Sequence, residues 1–218
     1  MKAHTKESQS TVTPEKALQF LKEGNTRFVN NLKYNRNLLQ QVNETREGQW
    51  PFAVILSCID SRTSAELIFD QGLGDVFSIR IAGNVLNEDI LGSMEFACKI
   101  AGSKLIVVLG HTKCGAVKGA CANVEMGNLT GLLGKIQPAI ETASKKTNHD
   151  KASMEFVEEV AEQNVMFHMN KILEQSPILR EMIEENKIGI AAAMYSVDSG
   201  EVDFIYENVK AKKTLETV

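Results

Sequence analysis

Residues 104–115 read Lys104-Leu105-Ile106-Val107-Val108-Leu109-Gly110-His111-Thr112-Lys113-Cys114-Gly115. An apolar run rich in β-branched side chains ends at a glycine, and a His-x-x-Cys follows at once. A strand without alternation is apolar on both faces, as parallel strands covered by helices on both sides must be. Similar runs lie at residues 52–59 and 76–82, and a fourth at 188–197. Helical patterns separate them at 65–69, 90–101, 115–123 and along 154–186. This alternation predicts an α/β fold with a mainly parallel central sheet flanked by helices. Asp198-Ser199-Gly200 sits between two short alternating runs, which predicts a C-terminal hairpin or antiparallel edge strand.

Upstream, Thr13 and Pro14 form a helix start: a hydroxyl that caps, then a proline whose missing N–H costs nothing there. Leu18, Phe20, Leu21 and Phe28 give that helix an apolar stripe, with Phe20 and Phe28 placed to pack on a partner. Residues 1–12 are expected to be a flexible arm, and 13–218 a single domain.

The composition narrows the class of function. A chain of 218 residues, 43% hydrophobic and 24% charged, is long enough to bury a core of its own. A net charge of −4 leaves no basic footprint for nucleic acid. Residues 1–10 are polar and lack the apolar centre of a secretory signal, and no stretch approaches the roughly 20 apolar residues of a membrane span. The expectation is a cytoplasmic protein without a membrane or nucleic-acid partner. Four cysteines are too sparse for a disulfide scaffold, and Cys98 and Cys121 read as inert small hydrophobes.

Cys58 and Cys114 are different. Ligands of parallel sheets gather beyond the carboxyl ends of the strands. Cys58 and Asp60 end the first run, while His111 and Cys114 follow the third. If the strands lie in the order 2-1-3-4, these side chains meet across one crevice. Two thiolates and an imidazole suit zinc, and they leave one tetrahedral position open, as a catalytic site requires. His-x-x-Cys alone, or Cys-x-Asp alone, is a weak signal; both at strand ends make a strong one. No Gly-Lys-Ser/Thr supports a phosphate-binding loop. His4, His149 and His168 read as surface or core residues.

Cys58-Ile59-Asp60-Ser61-Arg62 followed by Gly110-His111-Thr112-Lys113-Cys114-Gly115 resembles the signature of the β-class carbonic anhydrases. The likeness extends to Gly48-Gln49, to Arg80-Ile81-Ala82-Gly83-Asn84, to Glu95-Phe96 and to the Tyr195 tail. The resemblance implies a zinc enzyme that interconverts carbon dioxide and bicarbonate through attack by hydroxide on zinc. It implies Cys58, His111 and Cys114 as metal ligands. Asp60, paired with Arg62, would accept the hydroxide proton, or would itself occupy the metal when the pair breaks. Gln49 and the Gly115 N–H would meet the substrate oxygens. Phe77, Ala82 and Phe96 would line the carbon dioxide pocket, partly from a second subunit of a homodimer or homotetramer. Ala82 and Phe96 replace the valine and tyrosine common among better-known relatives, which widens the pocket and removes a hydroxyl. Arg62 also offsets the two thiolate charges, which on their own would raise the pKa of zinc-bound water.

Three alternatives accompany this reading. A hydrolase of carbonyl sulfide or carbon disulfide would keep the metal site and change the pocket. A non-catalytic zinc-stabilised subunit would have no use for a displaceable carboxylate. A thiol redox protein would need the Cys-x-x-Cys that is missing.

Overall fold

The computed structural model describes residues 3–209; the ends of the expected arm (1–2) and domain (210–218) lie outside them. Five strands form one sheet in the order β2-β1-β3-β4-β5. They are β1 (Ala53–Ser57), β2 (Val76–Arg80), β3 (Leu105–His111), β4 (Gly189–Tyr195) and β5 (Val202–Asn208). The first four are parallel, and β5 returns antiparallel along β4 through the turn at Asp198–Gly200 with a bulge opposite Ala192/Ala193. The architecture is the one expected, including the strand order and the antiparallel edge.

Strand periodicity explains why the central runs are apolar throughout. Val54, Leu56, Ile106 and Val108 join the core on one face of the sheet, while Ala53, Ile55, Leu105, Val107 and Leu109 join the core on the other. Every residue of β1, β3 and β4 is buried. Each large aliphatic among them contributes on the order of 2 kcal/mol by leaving water. The strand β2 departs from this pattern, with no fully buried residue, because it lies at one edge of the sheet.

Helices α1 (Lys6–Ser10), α2 (Pro14–Val29), α3 (Leu38–Thr45) and α4 (Ala65–Ile68) belong to the N-terminal part. The described part of the arm is not a bare tail. It contains α1, and Gln9 is buried, donating to the carbonyls of Pro51 and Ala101 at 2.8 and 2.9 Å. Helix α2 begins as expected, Thr13 accepting from the Lys16 N–H. Its Phe20 stacks edge-on against Phe52 of the same chain, with ring centroids 5.4 Å apart, so much of that aromatic face is used internally. Gly24 lets α2 seat closely: a Cβ there would stand 1.8 Å from the Phe69 carbonyl oxygen. Next to it, Asn25 donates to the carbonyls of Ile68 and Gly200 and accepts from the Val202 N–H, tying α2 to the hairpin.

The opposite face carries α5 (Glu88–Glu95), α6 (Gly115–Cys121), α7 (Gly127–Gly134), α8 (Gln137–Lys146), α9 (Met154–Gln175) and α10 (Pro177–Glu184). The single helical stretch expected over 154–186 is two helices, because Ser176 caps a second helix with Pro177 at its first position. After α5 the chain continues as a π-helical turn, Phe96–Ile100. Helix α9 lies directly over β3 and β4. A Cβ at Gly110 would stand 2.4 Å from Val165 Cγ2 and 2.6 Å from Met194 Sδ.

Candidate metal centre

The parallel pairing of β1 with β3 places Ser57 beside Leu109, so both chains leave the sheet side by side. Cys58, His111 and Cys114 are all buried there, and one ligand atom from each lies within 4.8 Å of the others. The two sulfurs are 3.9 Å apart. His111 Nδ1 lies 2.9 Å from the Thr112 carbonyl oxygen, which fixes the proton on Nδ1 and leaves a lone pair on Nε2. That Nε2 is buried and has no hydrogen-bond partner.

The charges point the same way. The Cys58 thiol is drawn down, chiefly by the hydrogen bond from Cys114. Cys114 is pushed up by the thiolate it faces and by burial. Two thiolates this close do not coexist without a cation between them. A buried imidazole lone pair beside two sulfurs is therefore a donor set that fits a soft divalent metal, zinc above all.

The loop around Cys58 is held from several directions. Thr63, itself buried, donates through Oγ1 to the carbonyls of Cys58 and Asp60 at 3.1 and 2.9 Å. Arg80 donates to the same two carbonyls, from Nε at 3.0 Å and from Nη2 at 2.6 Å. The Gly83 N–H donates to Cys58 Sγ at 3.3 Å. Nothing in the sequence singles out Thr63, although it follows Arg62 directly, and Arg80 stands out there only as part of a motif. The signal for Arg80 is positional, since it ends the strand paired with β1 and stands beside Ser57.

Arg62 grips Asp60 with two parallel contacts, Nε to Oδ1 at 2.9 Å and Nη2 to Oδ2 at 2.8 Å, and its backbone N–H adds a third at 3.0 Å. The guanidinium holds the Asp60 carboxyl well below the usual carboxylate range. Tyr195 pairs with His111 in the β3–β4 register, and burial pushes its phenol up.

The second ligand loop is braced by residues distant in sequence. Thr112 Oγ1 accepts from the Val197 N–H at 3.0 Å. Lys113 takes a left-handed conformation, φ 56°, and gives its N–H to Glu158 Oε1 at 2.7 Å and its ammonium to Asp198. Gly115 opens α6, and a Cβ on it would meet nothing within 4 Å. Its N–H is among those that a helix leaves without an internal partner.

Of the expected pocket residues, Phe77 and Phe96 come together, with ring centroids 6.4 Å apart, while Ala82 opens the short 3₁₀ turn beside Gly83. Phe96 is 54% exposed. Gln49 lies exposed in the coil ahead of β1, and no contact among the described residues ties it to the cluster.

With this geometry in view, the comparisons with known proteins agree. The family model described as carbonic anhydrase matches residues 53–202. Carbonic anhydrase 2 of Mycobacterium tuberculosis is 37% identical over 191 residues, covering 86% of this chain and 90% of that protein. The carbonic anhydrase of Mycolicibacterium smegmatis is 32% identical over 197 residues, covering 87% and 92%. Among solved structures, the β-carbonic anhydrase CafA of Aspergillus fumigatus superposes with a TM-score of 0.69 at 27% identity, covering 88% of this chain and 89% of that one. One of two tetrameric β-carbonic anhydrases from Sordaria macrospora gives 0.67 at 25% identity, covering 73% and 83%.

Proposed function

Because the chain belongs to the β-carbonic anhydrase family and so catalyses the reversible hydration of carbon dioxide to bicarbonate and a proton, we propose that its chemistry is carried by Cys58, His111 and Cys114 as zinc ligands, with Asp60 and Arg62 beside them. The observation that carries this reading is the buried Nε2 of His111, partnerless and grouped with two sulfurs. Zinc held there supplies Lewis acidity, an effect whose standard example is itself a carbonic anhydrase, the three-histidine type, where bound water has a pKa of about 7.

The remaining work falls to the chain. Asp60, kept ionised by the Arg62 clamp, accepts a hydrogen bond from the attacking water and aims its lone pair at the carbon. Gln49 and the Gly115 N–H donate to the substrate oxygens, where negative charge grows as bicarbonate forms. Phe77, Ala82 and Phe96 offer an apolar wall to a substrate that is uncharged until it reacts. The bidentate clamp also restrains Asp60 from turning onto the metal as a fourth ligand. The carbonyl sulfide, carbon disulfide and non-catalytic alternatives are not favoured by relatives that cover most of the chain.

No helix among the described residues is long and apolar enough to cross a membrane, and we place the enzyme in the cytoplasm. We also propose a homodimer or homotetramer. A relative of the same fold is tetrameric, and the exposed Phe96 and Ile100 are a surface that a second subunit would cover. Zinc determination together with stopped-flow carbon dioxide hydration tests the site. Sedimentation at working concentration tests the assembly, and a fully active monomer would refute it.

A further inference from the structure

The N–H that reaches Cys58 Sγ belongs to Gly83, the least restrained residue of its segment. Gly83 sits at φ 66° and Asn84 at φ 43°, both in the left-handed region. Glycine crosses that region without steric cost, so its own backbone does not hold it to one orientation. The neighbours leave little room, however: a Cβ on Gly83 would stand 2.9 Å from Ile136 Cδ1. The oriented restraint comes from α9, where Asn164, fully buried, donates from Nδ2 to the Gly83 carbonyl at 2.8 Å. One helical turn later His168, also buried, accepts the Leu86 N–H on Nδ1 at 3.2 Å. Two residues on one face of α9 therefore grip the segment at both ends, and its first N–H points at a thiolate.

We propose that Asn164 is a positioning residue for the metal centre: by fixing the Gly83 carbonyl it anchors the Gly83 Cα, and through it the preceding peptide whose N–H meets Cys58 Sγ, and so sets the geometry around that sulfur. The proposal rests on Cys58 being a ligand. Partners behind a ligand commonly shift metal affinity by one to two orders of magnitude. An N–H directed at sulfur draws off electron density and keeps the lone pair aligned. A buried amide placed only for stability would act on folding and leave the metal untouched.

The test compares four full-length proteins: wild type, Asn164→Leu, Cys58→Ser, and Ile172→Ala, which opens a cavity in the same helix, two turns past Asn164. Zinc affinity is read by competition with a chromophoric chelator at neutral pH. The thiolate-to-cobalt charge-transfer band of the Co(II)-loaded proteins is read beside it, and apoprotein stability by thermal melting. Asn164→Leu is expected to bind zinc about 10–100-fold more weakly and to shift the cobalt band. Ile172→Ala should lose stability with both readouts unchanged. Wild-type affinity and spectrum in Asn164→Leu overturn the proposal while leaving the ligands in place. Equal weakening in Ile172→Ala overturns it too, as general loosening. Wild-type affinity in Cys58→Ser removes the ligand assignment and this inference with it. Should Asn164→Leu not fold, Asn164→Ser, which also loses the amide donor, takes its place under the same outcomes.

Discussion

Arg62 holds Asp60 as a fork holds a carboxylate, both oxygens engaged by one guanidinium, with Asp60 only two residues from the Cys58 sulfur. Such a clamp does two things at once: it keeps the carboxylate charged and it keeps it aimed. Arg62→Ala removes both. The variant should retain its zinc and lose about 10–100-fold in hydration rate, the range common for partners of metal-site groups. Metal content, stopped-flow rates and a crystal structure above neutral pH check this. Asp60 still turned away from the metal would refute the restraint.

Removing a ligand should act on the metal itself. The wild type is expected to hold about one zinc per chain, as three protein donors around one open position imply. Cys58→Ser and His111→Ala should lose both metal and activity. Elemental analysis after dialysis is the measurement, and full occupancy in His111→Ala would remove it from the ligand set.

Burial lowers the His168 pKa to about 4, with Lys135 and Lys171 adding to the effect. A folded pKa below the ordinary 6.5 of histidine means that the unfolded chain binds the proton more readily. Stability from this residue is therefore complete above pH 6.5 and drains away as the pH falls toward 4. The loss amounts to about 3 kcal/mol once both states are protonated. His168→Asn, whose amide oxygen can replace Nδ1 as the acceptor for Leu86, should flatten that part of the profile. Denaturant melts across this range provide the comparison.

Asp70 anchors the N-terminal part. It is buried at φ 46°, paired with Arg27 at 2.6 Å and with Arg36, and it accepts the Tyr34 N–H at 3.3 Å. Asp70→Asn keeps the left-handed backbone, which asparagine tolerates, but removes the charge and turns one of the two acceptor oxygens into a donor facing another donor. Leaving two half-buried guanidinium groups without their counter-ion should cost about 3 kcal/mol. Thermal melting reads this, and an unchanged midpoint would show that the arginines find water instead.

Much of the fold and most of the centre can be read in the residues themselves. Cys58, Asp60, His111 and Cys114 are chemically unusual side chains at the ends of apolar runs, and a parallel sheet brings such ends together. The family likeness puts Phe77 and Phe96 in one pocket, and the structure sets them ring to ring. What stays hidden depends on distance along the chain. Asn164 looks like any polar residue in a helix until its partner, 81 residues earlier, is known. Helices α7 and α8 do carry a helical apolar spacing, Leu129, Leu132, Leu133, Ile136 and Ile140, but the glycines at 127, 131 and 134 dilute it. The break at Ser176-Pro177 does carry a local signal, a cap followed by proline, that a long apolar pattern masks.

The bracing of the His111–Cys114 loop also has an order in time. Ribosomes deliver Cys58 first and the His-x-x-Cys later, but the residues that fix the second loop, Val197 and Asp198, come after almost the whole sheet has been made. Until β4 emerges, β3 is an open edge on that side, and Thr112 lacks the Tyr195 carbonyl and the Val197 N–H that hold it. A nascent chain stalled before Ser196 would own every ligand and lack their frame. The frame of the second ligand loop is thus complete only when the C-terminal hairpin has been made.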